Sequence, residues 1–241
     1  MSDTRTAFIL AAGMGTRLRD LTANKPKALV ELNGKPLISH VIDRLVGQGF
    51  NRFVVNTYHF SNMLKDYLTT NYHDYDIVIS DESDQLMDTG GAIIKALPCL
   101  IESKAVLIHN TDIISDIDLK TTYENFLKSG DDAWLITQKR KSSRKLLFNN
   151  NLLIGWKNCD TNEYKWAKNP YNEYTELSFN GIHIAKPEIF KDFELKKCSV
   201  IDLYLKLAKE HKIASLEAEN SFWFDLGKKE QLAMAEKQIK R

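Results

Sequence analysis

Short apolar runs alternate with amphipathic stretches over the first 138 residues of the chain. A short apolar run bounded by glycine or polar residues is typical of a buried strand, whereas apolar residues recurring every three or four positions are typical of a helix. Strands are predicted at residues 6–12, 52–58, 75–82, 104–112 and 132–138, and helices at residues 35–49, 61–72, 88–100 and 119–130. This alternation predicts right-handed βαβ units and a mainly parallel sheet with helices on both faces.

Prolines and capping residues indicate where these helices begin and end. Pro36 suits the first position of its helix, and Ser61 is a predicted N-cap. The third helix is expected to begin with Asp88 or Thr89 as its N-cap and to end near Pro98.

The pattern changes after residue 138. A predicted hairpin at residues 146–156 turns at residues 149–151, and the polar, aromatic stretch 157–176 is expected to be weakly structured. Further strands are predicted at residues 177–185, 212–219 and 222–226, with helices at 199–210 and 228–240. No linker separates the halves, so we expect one domain over residues 1–241 with an extended second half.

Composition narrows the class of protein. The 241 residues are 43% hydrophobic, and 33 Lys and Arg balance 32 Asp and Glu to a net charge of +1. Such balance gives no reason to expect a nucleic-acid partner, and the basic run at residues 139–145 is expected to be a solvated loop. The apolar run near the N-terminus is too short for a signal peptide, and none approaches a membrane span, so a cytoplasmic protein without a membrane partner is predicted. A monomer and a homodimer are both compatible with the sequence.

Ligands of parallel sheets bind beyond the carboxyl ends of the strands, which directs attention to residues 13–27, 81–91 and 110–112. In the first segment Gly13 and Gly15 match two positions of a dinucleotide-binding motif, but Leu18 replaces its third glycine, and P-loop spacing is absent. Glycines still let backbone amides approach phosphate oxygens, while Arg17 and Lys27 could neutralise a polyphosphate. A flexible, solvated surface loop is the alternative.

The stretch LAAGMGTRLRDLTANKPKAL resembles the signature of the sugar-1-phosphate nucleotidyltransferases. The similarity continues through GKPLISHVIDRL, VVNTYH, IVISDE, DTGGAIIKALP, NTD, FNGIHIAKPEIF and WFDLG. It implies an α/β, Rossmann-like nucleotide-binding fold of the GT-A-like type, with a central sheet flanked by helices and a smaller sugar-binding β/α part. Residues 1–138 would mainly bind nucleotide, and residues 139–241 would mainly bind sugar and supply a second metal ligand.

The resemblance also implies the reaction. A nucleoside triphosphate (NTP) and a sugar 1-phosphate would give an NDP-sugar and pyrophosphate. The similarity is to the short bacterial type, which favours UTP with N-acetylmuramate 1-phosphate and leaves GTP with mannose 1-phosphate as the alternative. A non-catalytic nucleotide-sugar-binding module and transfer to a phosphorylated alcohol are further alternatives. Retention of the charged residues Arg17, Lys27, Asp112 and Asp225 favours catalysis.

Site residues follow from the family motif, position by position. Arg17 and Lys27 would be catalytic, on the leaving phosphates and on the α-phosphate or sugar phosphate respectively. The expected nucleotide contacts are Leu10, Ala11, Ala12, Gly13, Gly15, Thr16, Glu82, Thr89 and Gly90. Asn110, Glu176 and Asn180 are the expected sugar contacts, and the aromatic stretch 156–174 could line a sugar pocket or a dimer contact.

Asp112 and Asp225 are the metal ligands that the resemblance implies. Mg²⁺ binds few protein carboxylates and keeps phosphate and water ligands, so two aspartates suit it. A lone aspartate at a strand end is more often a turn or cap residue, and only the match at both positions favours the metal. His59, His109 and His183 lack ligand spacing and are assigned no catalytic role.

Overall fold

The fold was analysed in a computed structural model that describes residues 4–168 and 173–238. Within these residues the strands are β1 (Thr6–Leu10), β2 (Glu31–Leu32), β3 (Lys35–Pro36), β4 (Arg52–Thr57), β5 (Asp76–Asp81), β6 (Val106–Asn110), β7 (Ile113–Ser115), β8 (Ala133–Gln138), β9 (Arg144–Asn149), β10 (Leu152–Asn158), β11 (Glu163–Trp166), β12 (Thr175–Ala185), β13 (Ile213–Glu217) and β14 (Trp223–Asp225). The helices are α1 (Leu37–Gly47), α2 (Ser61–Asn71), α3 (Asp88–Leu100), α4 (Leu119–Ser129), α5 (Val200–Leu207) and α6 (Lys229–Gln238). Short 3₁₀ turns occur at Thr16–Thr22, Lys27–Leu29 and Pro187–Phe190.

One ten-stranded sheet organises the described part of the chain. Its main path is β11-β10-β13-β8-β12-β6-β1-β4-β5, and β9 pairs with β10 and β12. Strands β5, β4, β1 and β6 are mutually parallel, as predicted, so their carboxyl ends meet at one edge. Strand β12 runs antiparallel between β6 and β8, which makes the sheet mixed. Strands from both halves of the chain belong to this one sheet, so residues before and after residue 138 can meet at the same edge.

Helices cover both faces of the sheet because β1 and its neighbours are apolar on both faces. Phe8 belongs to a buried cluster with residues of α3 and α5, while Ala7 and Ile9 belong to a second cluster with residues of α1, α2 and α4. Successive side chains of a strand point to opposite faces, which explains the near-continuous apolar run of β1. A third, smaller cluster joins Leu18 of the glycine-rich segment to Leu226 and α6. That cluster fixes the first segment of the chain against the last.

The predicted helix boundaries need several corrections. Pro36 precedes α1 as its N-cap and is not its first residue, and Ser61 is the first residue of α2 instead of its cap. The α2 cap is Phe60 at φ 56°, and the Ser61 hydroxyl instead hydrogen-bonds the Thr57 hydroxyl at 3.1 Å. Helix α3 spans Asp88–Leu100, as predicted, but its N-cap is Met87, so the expected cap at Asp88 or Thr89 was wrong.

The second half contains more regular structure than its composition indicates. The hairpin of β9 and β10 turns at Asn150 and Asn151, whose positive φ angles of 46° and 63° suit asparagine, as predicted. The stretch expected to be weakly structured contains β11, which pairs with β10 and stacks Tyr164 on Trp166 with a ring separation of 5.6 Å. Residues 169–172 of that stretch, and residues 239–240 of the predicted last helix, lie outside the described residues.

A search of the described residues for a helix long and apolar enough to cross a membrane found none.

Candidate active site

A cleft of about 400 Å³ opens at the edge where β1, β4, β5 and β6 end. Its lining comprises Leu10, Ala11, Ala12, Gly13, Lys27, Ala28, Asn56, Glu82, Leu86, Asp88, Thr89, Asn110, Thr111, Asp112 and Lys197. The three segments predicted from the strand ends therefore meet in one place. Seven of the eleven residues expected on the catalytic and nucleotide side line it: Leu10, Ala11, Ala12, Gly13, Lys27, Glu82 and Thr89.

Asn56, at the end of β4, holds the segment that follows β1. Its Oδ1 accepts hydrogen bonds from the backbone amides of Ala11 and Ala12, at 2.6 and 3.2 Å. Its Nδ2 donates to Glu82 Oε1 at 2.7 Å, and Glu82 Oε2 accepts from the Met87 amide at 2.9 Å. Burial raises the pKa of the Glu82 carboxyl, which has no exposed surface. Glu82 lines the cleft as expected, but both its oxygens already hold the loops together.

Thr111, in the turn after β6, also holds the end of β1. Its hydroxyl donates to the Leu10 carbonyl at 2.7 Å, and its amide donates to the same oxygen at 3.2 Å. These bonds fix the last residue of β1 to the turn after β6. The turn that carries Asp112 is thereby set at the edge of the cleft.

Gly13 and Gly15 of the first segment are needed for different structural reasons. Gly15 lies at φ 65°, and a Cβ there would approach Thr22 Cγ2 to 2.7 Å and Lys27 Cβ to 3.1 Å. Gly13 has no protein atom closer than 4.0 Å to that position, so its surface faces the open cleft. Gly15 thus allows the loop to pack on Lys27, and Gly13 leaves room beside the backbone. Thr16, in the 3₁₀ turn that follows, is exposed.

Lys27 and Asp112 form an ion pair inside the cleft. The Lys27 ammonium contacts Asp112 Oδ2, and both side chains are 14% exposed. Lys25, two residues earlier, points elsewhere and lies 3.7 Å from Glu31. Lys27, which the sequence predicts to be catalytic, therefore lies inside the cleft, and its role stays a prediction.

Strand pairing brings Asp225 next to Asp112. Asp225 on β14 lies opposite Ile113 on β7, and the Leu226 amide donates to the Asp112 carbonyl at 2.8 Å. A Cβ on Gly227 would lie 2.8 Å from Asp225 Oδ1 and 2.6 Å from Arg17 Nη2. Gly227 thus admits the Arg17 guanidinium beside the Asp225 carboxylate.

These two aspartates form the candidate metal site. Among residues 4–168 and 173–238, no group of three or more His, Cys, Asp or Glu side chains could hold a metal ion. Two carboxylates without further protein ligands suit a Mg²⁺ ion that takes its remaining ligands from phosphates and water. They do not suit Zn²⁺, which is usually held by three or four protein ligands.

Gly90 packs against another part of the chain, and its expected nucleotide contact stays a prediction. Gly90 does not line the cleft, and a Cβ there would lie 2.7 Å from the Ser199 carbonyl oxygen. The glycine therefore allows α3 to pack against the residues before α5. Thr89 does line the cleft, but its hydroxyl accepts the amide of Val200 at 3.0 Å, which ties the same two helices together.

The expected sugar contacts fall in three different places. Asn110 lines the cleft, and its Nδ2 lies 2.7 Å from where a Cβ of Gly181 would be. Asn180 is fully buried beside it, and its carbonyl oxygen accepts the indole N–H of Trp223 at 2.8 Å. Glu176, farther back on β12, accepts from Lys157 Nζ at 2.9 Å and does not line the cleft. That carboxylate is paired between β12 and β10, away from the cleft, and its expected sugar contact stays a prediction.

Sequence reasoning missed Asn56 and Arg140. Asn56 is not among the expected site residues, although a polar residue at the end of a buried strand was the available signal. The basic run was expected to be a solvated loop, but Arg140 is half-buried over the Trp223 ring, 3.8 Å from its centroid. Lys145 likewise turns inward and donates to Ser178 Oγ at 2.9 Å. Tertiary contacts to residues far along the chain made that prediction wrong.

Comparison with known proteins gives consistent matches. A family model described as nucleotidyl transferase matches residues 6–145. N-acetylmuramate alpha-1-phosphate uridylyltransferase from Caulobacter vibrioides is 33% identical over 230 residues, covering 92% of each chain. Mannose-1-phosphate guanyltransferase from Hypocrea jecorina is 28% identical over 224 residues, covering 91% of this chain and 60% of that longer protein. The crystal structure of HddC from Yersinia pseudotuberculosis complexed with GMP-PN has a TM-score of 0.77 at 20% identity, covering 98% of this chain and 100% of that one.

Proposed function

The chain belongs to the nucleotidyl transferase family and is a sugar-1-phosphate nucleotidyltransferase, and on that premise we propose that its substrates are UTP and N-acetylmuramate 1-phosphate. The GT-A-like fold agrees with the premise, since structural neighbours cover nearly the whole chain. The choice of substrates is supported by the uridylyltransferase of 33% identity, whose match extends over 92% of both chains. The products would be UDP-N-acetylmuramate and pyrophosphate.

The observation that carries the proposal is the Lys27–Asp112 ion pair inside the cleft, with Asp225 placed beside Asp112 by the pairing of β14 with β7. In the proposed reaction an oxygen of the sugar phosphate attacks the α-phosphorus of UTP, the bond from that phosphorus to the bridging oxygen breaks, and pyrophosphate leaves. Little covalent work falls to the protein in such a transfer, so positioning and charge neutralisation supply the catalysis.

Lys27 is the group proposed to act on the reacting phosphates. Its ammonium is 14% exposed, and in a partly desolvated cleft a fixed cation stabilises developing negative charge more strongly than in water. Its ion pair with Asp112 holds it in place before substrates bind. Arg17, beside Gly227, would bind the leaving phosphates, for which a planar guanidinium offers paired donors.

Asp112 and Asp225 would hold a Mg²⁺ ion together with phosphate oxygens of the substrates. Bound there, the ion would supply further neutralisation of phosphate charge. The Gly13 surface and the amides fixed by Asn56 would receive the nucleoside, because they leave an open, preformed wall at the end of β1. Glu82 and Thr89 are retained in the proposal only as parts of that wall.

GTP with mannose 1-phosphate is the second candidate substrate pair. It is favoured by the match to the Hypocrea jecorina guanyltransferase, although the chain spans only 60% of that protein. The non-catalytic alternative is not retained, because the family and the relatives are enzymes. We keep a cytoplasmic location as part of the proposal, since nucleoside triphosphates are found there.

A substrate panel tests the proposal. Purified protein would be incubated with each of the four NTPs and a set of sugar 1-phosphates in Mg²⁺ buffer, and pyrophosphate release would be followed. The proposal expects the highest kcat/KM for UTP with N-acetylmuramate 1-phosphate. A higher value for GTP with mannose 1-phosphate would favour the second candidate, and release from UTP without any sugar phosphate would contradict transfer.

A further inference from the structure

Arg140 is held in a fixed position beside the proposed site. Its guanidinium stacks on Trp223 at 3.8 Å, its Nη2 donates to the Phe179 carbonyl at 2.7 Å, and its Nε lies 3.5 Å from Asn180 Oδ1. Stacking and a backbone acceptor fix the plane of the fork without neutralising its charge. Arg140 is therefore oriented, and its charge stays available.

Within the described part of the chain, Arg140 lacks an anionic partner here, and the neighbouring Asn180 side chain has a buried donor without an acceptor. Among the described residues Arg140 is in no ion pair within 4.0 Å, although it is half-buried. Asn180 is fully buried, and its Nδ2 donates no hydrogen bond in the described structure. Buried donors are normally paired, so an unsatisfied amide N–H beside a cation without a counter-ion indicates an oxyanion that is bound during function.

The pair lies next to the cleft. Asn180 precedes Gly181, where an added Cβ would lie 2.7 Å from Nδ2 of Asn110, a residue of the cleft wall. Trp223, beneath Arg140, is two residues before Asp225. Burial lowers the pKa of Arg140 and the Asp225 carboxylate opposes that shift, which agrees with their proximity.

Solvent reaches Arg140 through a second cavity of about 330 Å³. Its acidic lining residues, Glu217 and Glu219, lie 3.1 and 3.7 Å from Lys139 Nζ, so Lys139 offsets their charge. A small anionic ligand can therefore approach the guanidinium from outside the cleft.

We infer that Arg140 and Asn180 form an oxyanion subsite for the sugar 1-phosphate. The subsite takes either the phosphate of that substrate or a carboxylate carried on its sugar, because a guanidinium fork and an amide N–H suit both oxyanions. The inference rests on the proposed function, since it supplies the sugar side of the same reaction. Arg140 is then a substrate-binding residue, although the sequence of the basic run at residues 139–145 is typical of an exposed loop.

Two variants and a matched control test the subsite. Arg140→Gln removes the charge and the fork, and Asn180→Asp replaces the free donor by an oxygen while leaving an acceptor for Arg140. Arg144→Gln is the control, because Arg144 is exposed on β9 and makes no ion pair in the described structure. Thermal unfolding reports whether each variant folds, and KM is measured separately for UTP and for N-acetylmuramate 1-phosphate.

The subsite predicts that both variants raise KM for N-acetylmuramate 1-phosphate at least about tenfold and leave KM for UTP within twofold. N-acetylglucosamine 1-phosphate lacks the carboxylate. Its binding, measured as a substrate or as a competitive inhibitor, shows which oxyanion the subsite takes. Weaker binding of both sugars assigns the phosphate, and weaker binding of the carboxylate-bearing sugar alone assigns the carboxylate. Unchanged binding of both by folded Arg140→Gln overturns the subsite.

Failure of the proposed function would be seen separately, as wild-type protein that releases no pyrophosphate from any substrate pair. In that event calorimetry with N-acetylmuramate 1-phosphate still decides the subsite. Binding to wild type that is lost in Arg140→Gln supports it, and no binding, or equal binding to both, overturns it.

Discussion

The Lys27 ammonium is hydrogen-bonded to the carboxylate of Asp112, a residue 85 positions later in the chain. The pair joins the glycine-rich segment to the turn after β6, and each side chain is largely shielded from water. A cation and a proposed metal ligand thus occupy one point of the cleft before substrates arrive. The first prediction follows from that pair.

Lys27→Ala is expected to lower kcat/KM by about 100-fold or more, because loss of a preorganised charge that acts on the transition state typically has that effect. Lys25→Ala is the matched control, since Lys25 faces Glu31 and does not line the cleft. Its kcat/KM should stay within about twofold of wild type. Steady-state pyrophosphate release measures both, and equal losses in the two variants would contradict the role of Lys27.

Gly227→Ala is expected to displace Arg17 without unfolding the protein. The new Cβ would lie 2.6 Å from Arg17 Nη2 and 2.8 Å from Asp225 Oδ1, so the flexible Arg17 side chain must move away and the Asp225 carboxylate must shift with it. We expect kcat/KM for the NTP to fall about tenfold while the melting temperature changes little. Gly47→Ala is the control, because no atom lies within 4 Å of its added Cβ. Full activity of Gly227→Ala would show that the position of Arg17 is unimportant.

Gly90→Ala should affect stability more than nucleotide binding. Its Cβ would lie 2.7 Å from the Ser199 carbonyl oxygen, and backbone cannot yield as a side chain does. Overpacking of this kind costs about 1–3 kcal/mol of unfolding free energy. Denaturant titration measures the loss, and KM for UTP in the folded variant should stay within twofold. An unchanged stability with a tenfold rise in KM would support Gly90 as a nucleotide contact.

The two histidines of the central sheet are expected to make the protein acid-sensitive. Burial lowers the pKa of His109 to about 4 and that of His183 to about 3, from an ordinary value of 6.5. Their folded-state pKa values are depressed, so the unfolded state binds more protons below pH 6.5. Stability is therefore complete above that pH and lost as the pH falls towards 4 and 3. Each histidine should remove about 2 kcal/mol of unfolding free energy between pH 8 and pH 5.

Denaturant unfolding of wild type at several pH values measures that loss. His183→Gln should be less stable at pH 8 but should lose less stability on acidification, whereas His73→Gln, at an exposed position, should follow wild type. Where His183→Gln does not fold, NMR of wild type serves instead. Ring signals of His109 or His183 that titrate near pH 6.5 would contradict the prediction.

The layered fold could be predicted because its signal is local. The strands that end at Leu10, Thr57, Asp81 and Asn110 are short apolar runs, and their parallel order follows from the helices between them. The antiparallel insertion of β12 could not be predicted, since it depends on pairing between strands far apart in sequence.

In the candidate site, too, locally determined features could be predicted and long-range contacts could not. Lys27 and Asp112 follow from the motif and from the rule that ligands bind at strand ends. The surroundings of Gly90, Glu176 and Arg140 could not be predicted, because the residues that determine them come from other elements. These residues are Ser199, Lys157 and Trp223. A glycine that faces a ligand and one that faces a carbonyl oxygen look identical in a sequence.

The most direct measurement of the central claim follows the reaction of UTP with N-acetylmuramate 1-phosphate by ³¹P NMR in Mg²⁺ buffer. Wild type should form pyrophosphate and a diphosphate diester in equal amounts, and Asp112→Asn and Lys27→Ala should each react about 100-fold more slowly or worse while remaining folded. Formation of the diester at more than a tenth of the wild-type rate in both variants would contradict the account.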